Sequence, residues 1–490
     1  MSHDDPRGRQ TSVDRRAHPL PAPGGLPGPQ TASRFYLLLG LAFLYYAIHE
    51  HPQFQPLERE LSAPVPLLPI PIVVWHTGGW LLFAVLLWML CRSGREWPAP
   101  ADDIALRRSA VATLALVFGI ELLGRLATVG FFGIERRVGV GGLLTAALLG
   151  FLVLAALLRW PPVTPVLTLL MLAGGLVLRL AWLFLVPQDP KHTDNMFVIR
   201  LGLERFLAGE TPYAYFDFGT HTNPMPYLPW TFLSYLPPFL LGVDIRVTSI
   251  VLSLALVLVL WRLVHTLPMK STARSGLVLT LGVLYALPLT VSLDLATEFA
   301  MFNVMLILTF VLIVLRRLRL ASAAYGLALG SMPLALFSIV PLFCFLARAR
   351  PWGESLRLVA IVCLAAGVPI LAFLLWDAPA FLWAVSYVPR EAWKAMDSGA
   401  LNPTFMPIVW HRLGGWLRIV QGAWLVLFAA LAWRYLRTIH GLVVLAAAGH
   451  LALALSGPYV APHLVQVVLF LAVLAEATRA AKLGDLPSAA

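Results

Sequence analysis

Charge is what this sequence has least of. Only 12% of its 490 residues are Asp, Glu, Lys or Arg, about half the quarter usual in soluble domains. That excludes an assembly of ordinary water-facing domains. Cysteine is scarce as well. Cys91, Cys344 and Cys363 lie in apolar runs, odd in number and without CxxC spacing, so they read as small core residues and exclude a disulfide framework or thiolate metal site. The ten-residue alternation of a membrane β-barrel is missing from blocks such as VLSLALVLVLW at 251–261, which excludes that architecture. No HExxH, P-loop, dinucleotide-binding glycine pattern or partnered GxSxG is found, so soluble nucleotide chemistry has no recognisable site.

What is abundant is apolar length. Hydrophobic residues make up 59% of the chain, in runs that reach the roughly 20 residues needed to cross a bilayer. The expected fold is all-α: a polytopic membrane protein of about 12 transmembrane helices with re-entrant or interfacial helices besides. Candidate spans are 35–49, 70–91, 109–131, 138–158 and 163–186, then 246–266, 275–293, 299–317, 321–347 and 355–376, and finally 416–434, 440–456 and 460–477. The segment 227–242 is short and carries Pro229, Pro237 and Pro238 just after Pro226; it reads as a re-entrant or interfacial helix whose backbone protein must cover. The net charge of +11 fits Lys and Arg gathered on the cytoplasmic side better than nucleic-acid binding. Residues 1–33, rich in Pro and Gly with Arg7, Arg9, Arg15 and Arg16, read as a disordered cytoplasmic tail and not as a signal peptide. Four spans within 34–160 form an N-terminal membrane extension, 161–480 is the main transmembrane domain, and 481–490 is a second cytoplasmic tail.

Basic clusters set the orientation. Arg92, Arg95, Arg107, Arg108 and Arg159 belong inside, which puts the loop 188–226 outside. Lys270, Arg274, Arg316, Arg317 and Arg319 also belong inside, and this holds only if 227–242 does not cross. Basic residues flank 321–347 and an SMP break interrupts it at 331–333, so this segment is expected to be a helical hairpin that returns to its starting side. The loop 188–226, the turn SLDLATE at 292–298, the loop 377–415 and SGPYVAPH at 456–463 then share the non-cytoplasmic face of a plasma (inner) membrane.

Several residues on that face carry chemistry. Asp194 follows a span by about eight residues. A partly desolvated carboxylate there suits a general base, or it caps a helix running from about 195 to 208. Asp294 and Glu298 are four residues apart and would share a helix face; two like charges need an Arg or a metal ion to pair with them. Arg179, Arg246, Arg390, Lys394 and Arg412 sit in or beside outer segments. Their guanidinium or ammonium groups either bind a phosphorylated lipid or snorkel to headgroups. Glu121 and Arg125, spaced i, i+4 in one span, neutralise each other, and His450 reads as a hydrogen-bonded core histidine. His463 follows Pro462 at the outer end of the last span.

The order of motifs from 163 to 480 resembles the C-type (GT-C) membrane glycosyltransferases, nearest to glycosyltransferase family 87 and related polyprenyl-phosphate-mannose-dependent mannosyltransferases. The residues that carry the likeness are TDNMF (193–197), ERFLAGETPYAYFDF (204–218), NPMPYLPWTFLSYLPPFLLGVDIR (223–246), DLATEF (294–299) and LWDAPAFLWAVSYVP (375–389). The resemblance implies a GT-C-like fold and transfer of a mannose-like sugar from a polyprenyl-phosphate donor to a lipid or glycan acceptor. It implies Asp194 as the base and Glu298 as a second acidic group at the site. The substrate contacts expected beside them are Arg179, Glu204, Tyr213, Arg246, Asp294, Arg390 and His463, with Arg179, Arg246 or Arg390 as the cation for the departing phosphate. It names no obligatory cofactor and leaves room for a divalent cation; membrane lipids are the surroundings and nucleic acid is not a partner. Where the family often has a lysine, LALGSMPLAL at 327–336 has Ser331 and Met332, a departure that bears on donor type or on catalysis itself. A transporter or lipid flippase, and a non-catalytic subunit of the same fold, are the alternatives.

Overall fold

The computed structural model describes residues 164–185, 188, 194–217, 222–286, 294–295, 298–387, 417–436, 438–456 and 462–483. The tail 1–33, the four-span extension 34–160, Glu121 and Arg125 therefore lie outside the described residues, as do Arg390, Lys394 and Arg412. Helices dominate what is described, as the composition demands. In chain order they are α1 (Thr164–Leu185), α2 (Asp194–Leu207), α3 (Pro229–Leu233), α4 (Leu236–Leu240), α5 (Val247–Thr266), α6 (Ser271–Ala286) and α7 (Ala300–Val314). They continue as α8 (Leu318–Leu329), α9 (Leu336–Ala349), α10 (Trp352–Val385), α11 (Leu417–Tyr435), α12 (Ile439–Ser456) and α13 (Pro462–Ala480). Two of these, α5 and α10, are long and apolar enough to cross a membrane by length and composition; other apolar stretches run to 10–17 residues.

Within the expected outer loop 188–226, the described residues 194–217 and 222–226 include regular elements. Its α2 stops at a left-handed Gly209, φ +76, with Glu210 N–H reaching back to Arg205 O at 2.9 Å and Gly209 N–H to Phe206 O at 3.1 Å. That paired closure needs a residue free to take positive φ, and Pro212 just beyond prevents continuation. A small antiparallel hairpin follows, β1 (Tyr215–Asp217) against β2 (Thr222–Pro224), with Phe216 opposite Asn223. The all-α expectation omitted it. Segment 227–242 forms no crossing helix. It breaks into α3 and α4, each five residues long with proline in its first two positions.

Two expectations are corrected. The segment 321–347 breaks near 331–333, at a 3-10 turn over Pro333–Ala335, but its arms do not lie along each other as in a hairpin. Instead α8 packs between α7 and α10, while α9 packs on α11 and α12. Loop 377–415 begins as helix, since α10 runs on to Val385 with a kink at Asp377 (φ −151, ψ 82). There the Asp377 carboxylate accepts the Ala380 N–H at 3.1 Å, capping the second segment in place of the interrupted ladder.

Close helix contacts depend on small residues, as is usual between apolar helices. A Cβ on Gly175 would stand 2.7 Å from the Tyr285 ring and 2.8 Å from Tyr285 O, so α1 and α6 touch backbone to backbone. One on Gly326 would stand 2.6 Å from Val362 O, which sets α8 equally close to α10. The last helix, α13, packs on α12 and returns to α6 and α7. This return brings the chain's end beside its middle.

Candidate functional site

Two buried acids organise the ends of these helices. Asp294, 4% exposed, accepts from Arg179 Nε at 3.0 Å and Nη2 at 2.5 Å through one oxygen, and from Gln466 Nε2 at 2.6 Å through the other. Arg179, 1% exposed, spends its remaining donor on Tyr285 O at 2.6 Å and Gly175 O at 3.1 Å, and its guanidinium lies 3.8 Å above the Tyr285 ring. Asn303 Nδ2 extends the chain of bonds to Gln466 Oε1 at 3.1 Å. The charge that Asp294 needed is therefore supplied by Arg179 from α1, 115 residues away. Such a pair is stable only because nearly every donor and acceptor in it is matched.

Glu298, also 4% exposed, belongs to a second contact. Its Oε2 accepts from Asn195 Nδ2 at 2.8 Å. Asp294 and Glu298 do not share one face of the following helix, because α7 starts only at Ala300. Asp194 is the first residue of α2; its side chain is not among the described groups. His463 is the second residue of α13, and its side chain is likewise outside the description.

Other predicted residues take plainer places. Arg246, 2% exposed, grips both oxygens of Asp244 and donates to Leu183 O at 3.1 Å, so its charge is matched inside the protein as that of Arg179 is. Glu204 makes an exposed i, i+4 pair with Arg200 at 3.1 Å, an arrangement that contributes little. Tyr213 is buried, donates to Tyr227 O at 3.2 Å, and stands edge-on to Phe381 at 4.9 Å and Phe373 at 5.6 Å. Burial pushes its phenol well above the usual range, so it remains a donor. His450 is fully buried and shares a 2.8 Å hydrogen bond with Ser338 Oγ, as a core histidine would.

The corner at 330–332 holds α3. Trp230 N–H donates to Gly330 O at 3.2 Å, Thr231 Oγ1 to Ser331 O at 2.7 Å, and Trp230 Nε1 to Ala365 O at 2.8 Å. Ser331 itself is fully buried and bonds back to Leu327 O at 2.8 Å. Among the described residues, no three His, Cys, Asp or Glu side chains form a group able to hold a metal ion.

Four stretches far apart in sequence are thus linked. Asn195 joins the 188–226 segment to Glu298, Gln466 joins the start of α13 to Asp294, and Tyr215 packs on Trp383 at 4.2 Å, tying the hairpin to the end of α10. Sequence reasoning selected the acids and Arg179 but not their pairing, and it missed the amides. Gln466 and Asn303 carried a signal, as amides inside apolar helices; Asn195, in a polar stretch, carried none. Comparison with protein-family models, with curated proteins and with solved structures returns no match to this chain.

Proposed function

We propose that this protein is a multi-pass membrane glycosyltransferase of GT-C type, with about 12 spans, that moves a mannose-like sugar from a polyprenyl-phosphate donor to a lipid or glycan acceptor at the non-cytoplasmic face. The observation that carries the reading is the contact between the start of α2 and the buried Glu298. It ties the turn that opens with Asp194, through the neighbouring Asn195, to a second acid that the motif order had separately selected. In an inverting transfer the acceptor hydroxyl oxygen bonds to the anomeric carbon while the bond from that carbon to the phosphate oxygen breaks. Asp194 takes the hydroxyl proton, and the polyprenyl phosphate leaves with its electron pair. A leaving phosphate calls for a cation. Arg179 and Arg246 already neutralise Asp294 and Asp244, which leaves Arg390 as the candidate of the three, and gives the Arg179 pair the task of supporting the site's frame. The lipid donor arrives through the membrane, consistent with the lack of any nucleotide-binding motif.

Asp194→Ala is expected to abolish transfer while expression and membrane insertion stay at wild-type level; retained transfer would remove Asp194 from the mechanism.

A further inference from the structure

Asn195 is the second residue of α2, and its amide donates to a carboxylate that is itself held in place. Glu298 stands one residue before Phe299, whose carbonyl accepts the Asn303 N–H at 2.9 Å as α7 begins. Four residues upstream of Glu298, Asp294 is clamped by Arg179 and Gln466. The short segment bearing Glu298 is therefore fixed at one end by a buried ion pair and at the other by a helix. The first N–H groups of a helix have no acceptor within it, so the opening turn of α2 is held by contacts from outside, and the Asn195 side chain makes one of them.

We propose that Asn195 is a positioning residue. Its bond to Glu298 anchors the opening turn of α2 and so fixes where the neighbouring Asp194 is presented, with Glu298 as the fixed point. The catalytic half of this inference rests on the reading of Asp194 as the base. Reacting groups must be held to within about 0.5 Å of their productive geometry, and a misplacement of about 1 Å can cost about 100-fold in rate.

The test uses the full-length protein in lipid nanodiscs as wild type, Asn195→Ala, Glu298→Ala, the double variant, Glu298→Gln and Asp194→Ala. Hydrogen exchange is followed at the amides of residues 198–200, the first to bond back into the opening turn. Transfer kinetics and melting temperature are measured alongside. Both alanine variants should exchange about tenfold faster there, the double variant no faster than either, and Glu298→Gln, whose amide oxygen still accepts, should keep wild-type exchange. Melting temperature and exchange in α12 should be unmoved, and in Asn195→Ala kcat should fall with KM unchanged. Additive effects in the double variant, or faster exchange spread over the whole protein, would overturn the anchor. If the exchange cycle behaves as expected but Asp194→Ala keeps full transfer, the catalytic reading fails and the anchor stands. If Asp194→Ala loses transfer while Asn195→Ala keeps wild-type exchange and kcat, the anchor fails and the catalytic reading stands.

Discussion

Arg179 shows how far a residue's role depends on what the fold brings to it. In the sequence it is a cation near the outer end of a span, suited to lipid headgroups or to a phosphate. In the structure its donors go to Asp294, Tyr285 and Gly175. Removing it alone would strand a buried carboxylate, which costs about 3–5 kcal/mol. Arg179→Met is accordingly expected to lower the melting temperature of the detergent-solubilised protein sharply, and Arg179→Met/Asp294→Leu to recover a large part of that loss. If the double variant melted lower still, Asp294 would be stabilised by something other than this pair. The acids themselves were legible, because charge in so apolar a chain stands out. Their pairings were not: 115 residues separate Arg179 from Asp294 and 172 separate Gln466 from it, and only tertiary packing brings them together.

At the scale of elements, the apolar runs read well where they end in charge or proline. As helices, the apolar runs 163–186 and 246–266 match α1, Thr164–Leu185, and α5, Val247–Thr266. Reading failed where contacts decide the outcome. The break at 331–333 was visible, but its arms diverge because each has a better partner, α10 for α8 and α11 with α12 for α9. The kink at Asp377 passed for a helix end, and the strands 215–217 and 222–224 are too short to show any periodicity. The α1–α6 contact makes its own prediction. In Gly175→Ala the new methyl would press on the Tyr285 ring and carbonyl, and overpacking of this kind costs about 1–3 kcal/mol. Because Tyr285 O is also an acceptor for Arg179, the loss should shrink when Arg179 is already Met. A melting-temperature cycle over the two sites measures that coupling, and strict additivity would disconnect them.

For the whole molecule, orientation and chemistry are joined. The proposed orientation puts the loop with Glu210 and the turn with Lys270 on opposite sides of a membrane. With native cysteines replaced by Ser, Glu210→Cys should react with an impermeant maleimide in intact cells, and Lys270→Cys only after permeabilisation. Equal labelling of both would undo the orientation. The central claim, sugar transfer from a lipid-linked donor, is tested most directly with the purified protein reconstituted in liposomes. It would be given labelled polyprenyl-phosphate mannose or, separately, a labelled nucleotide sugar, together with a cell lipid extract as acceptor. The account predicts a labelled glycolipid from the polyprenyl donor alone, absent with Asp194→Ala; product from the nucleotide sugar, or from the polyprenyl donor irrespective of Asp194, would contradict it.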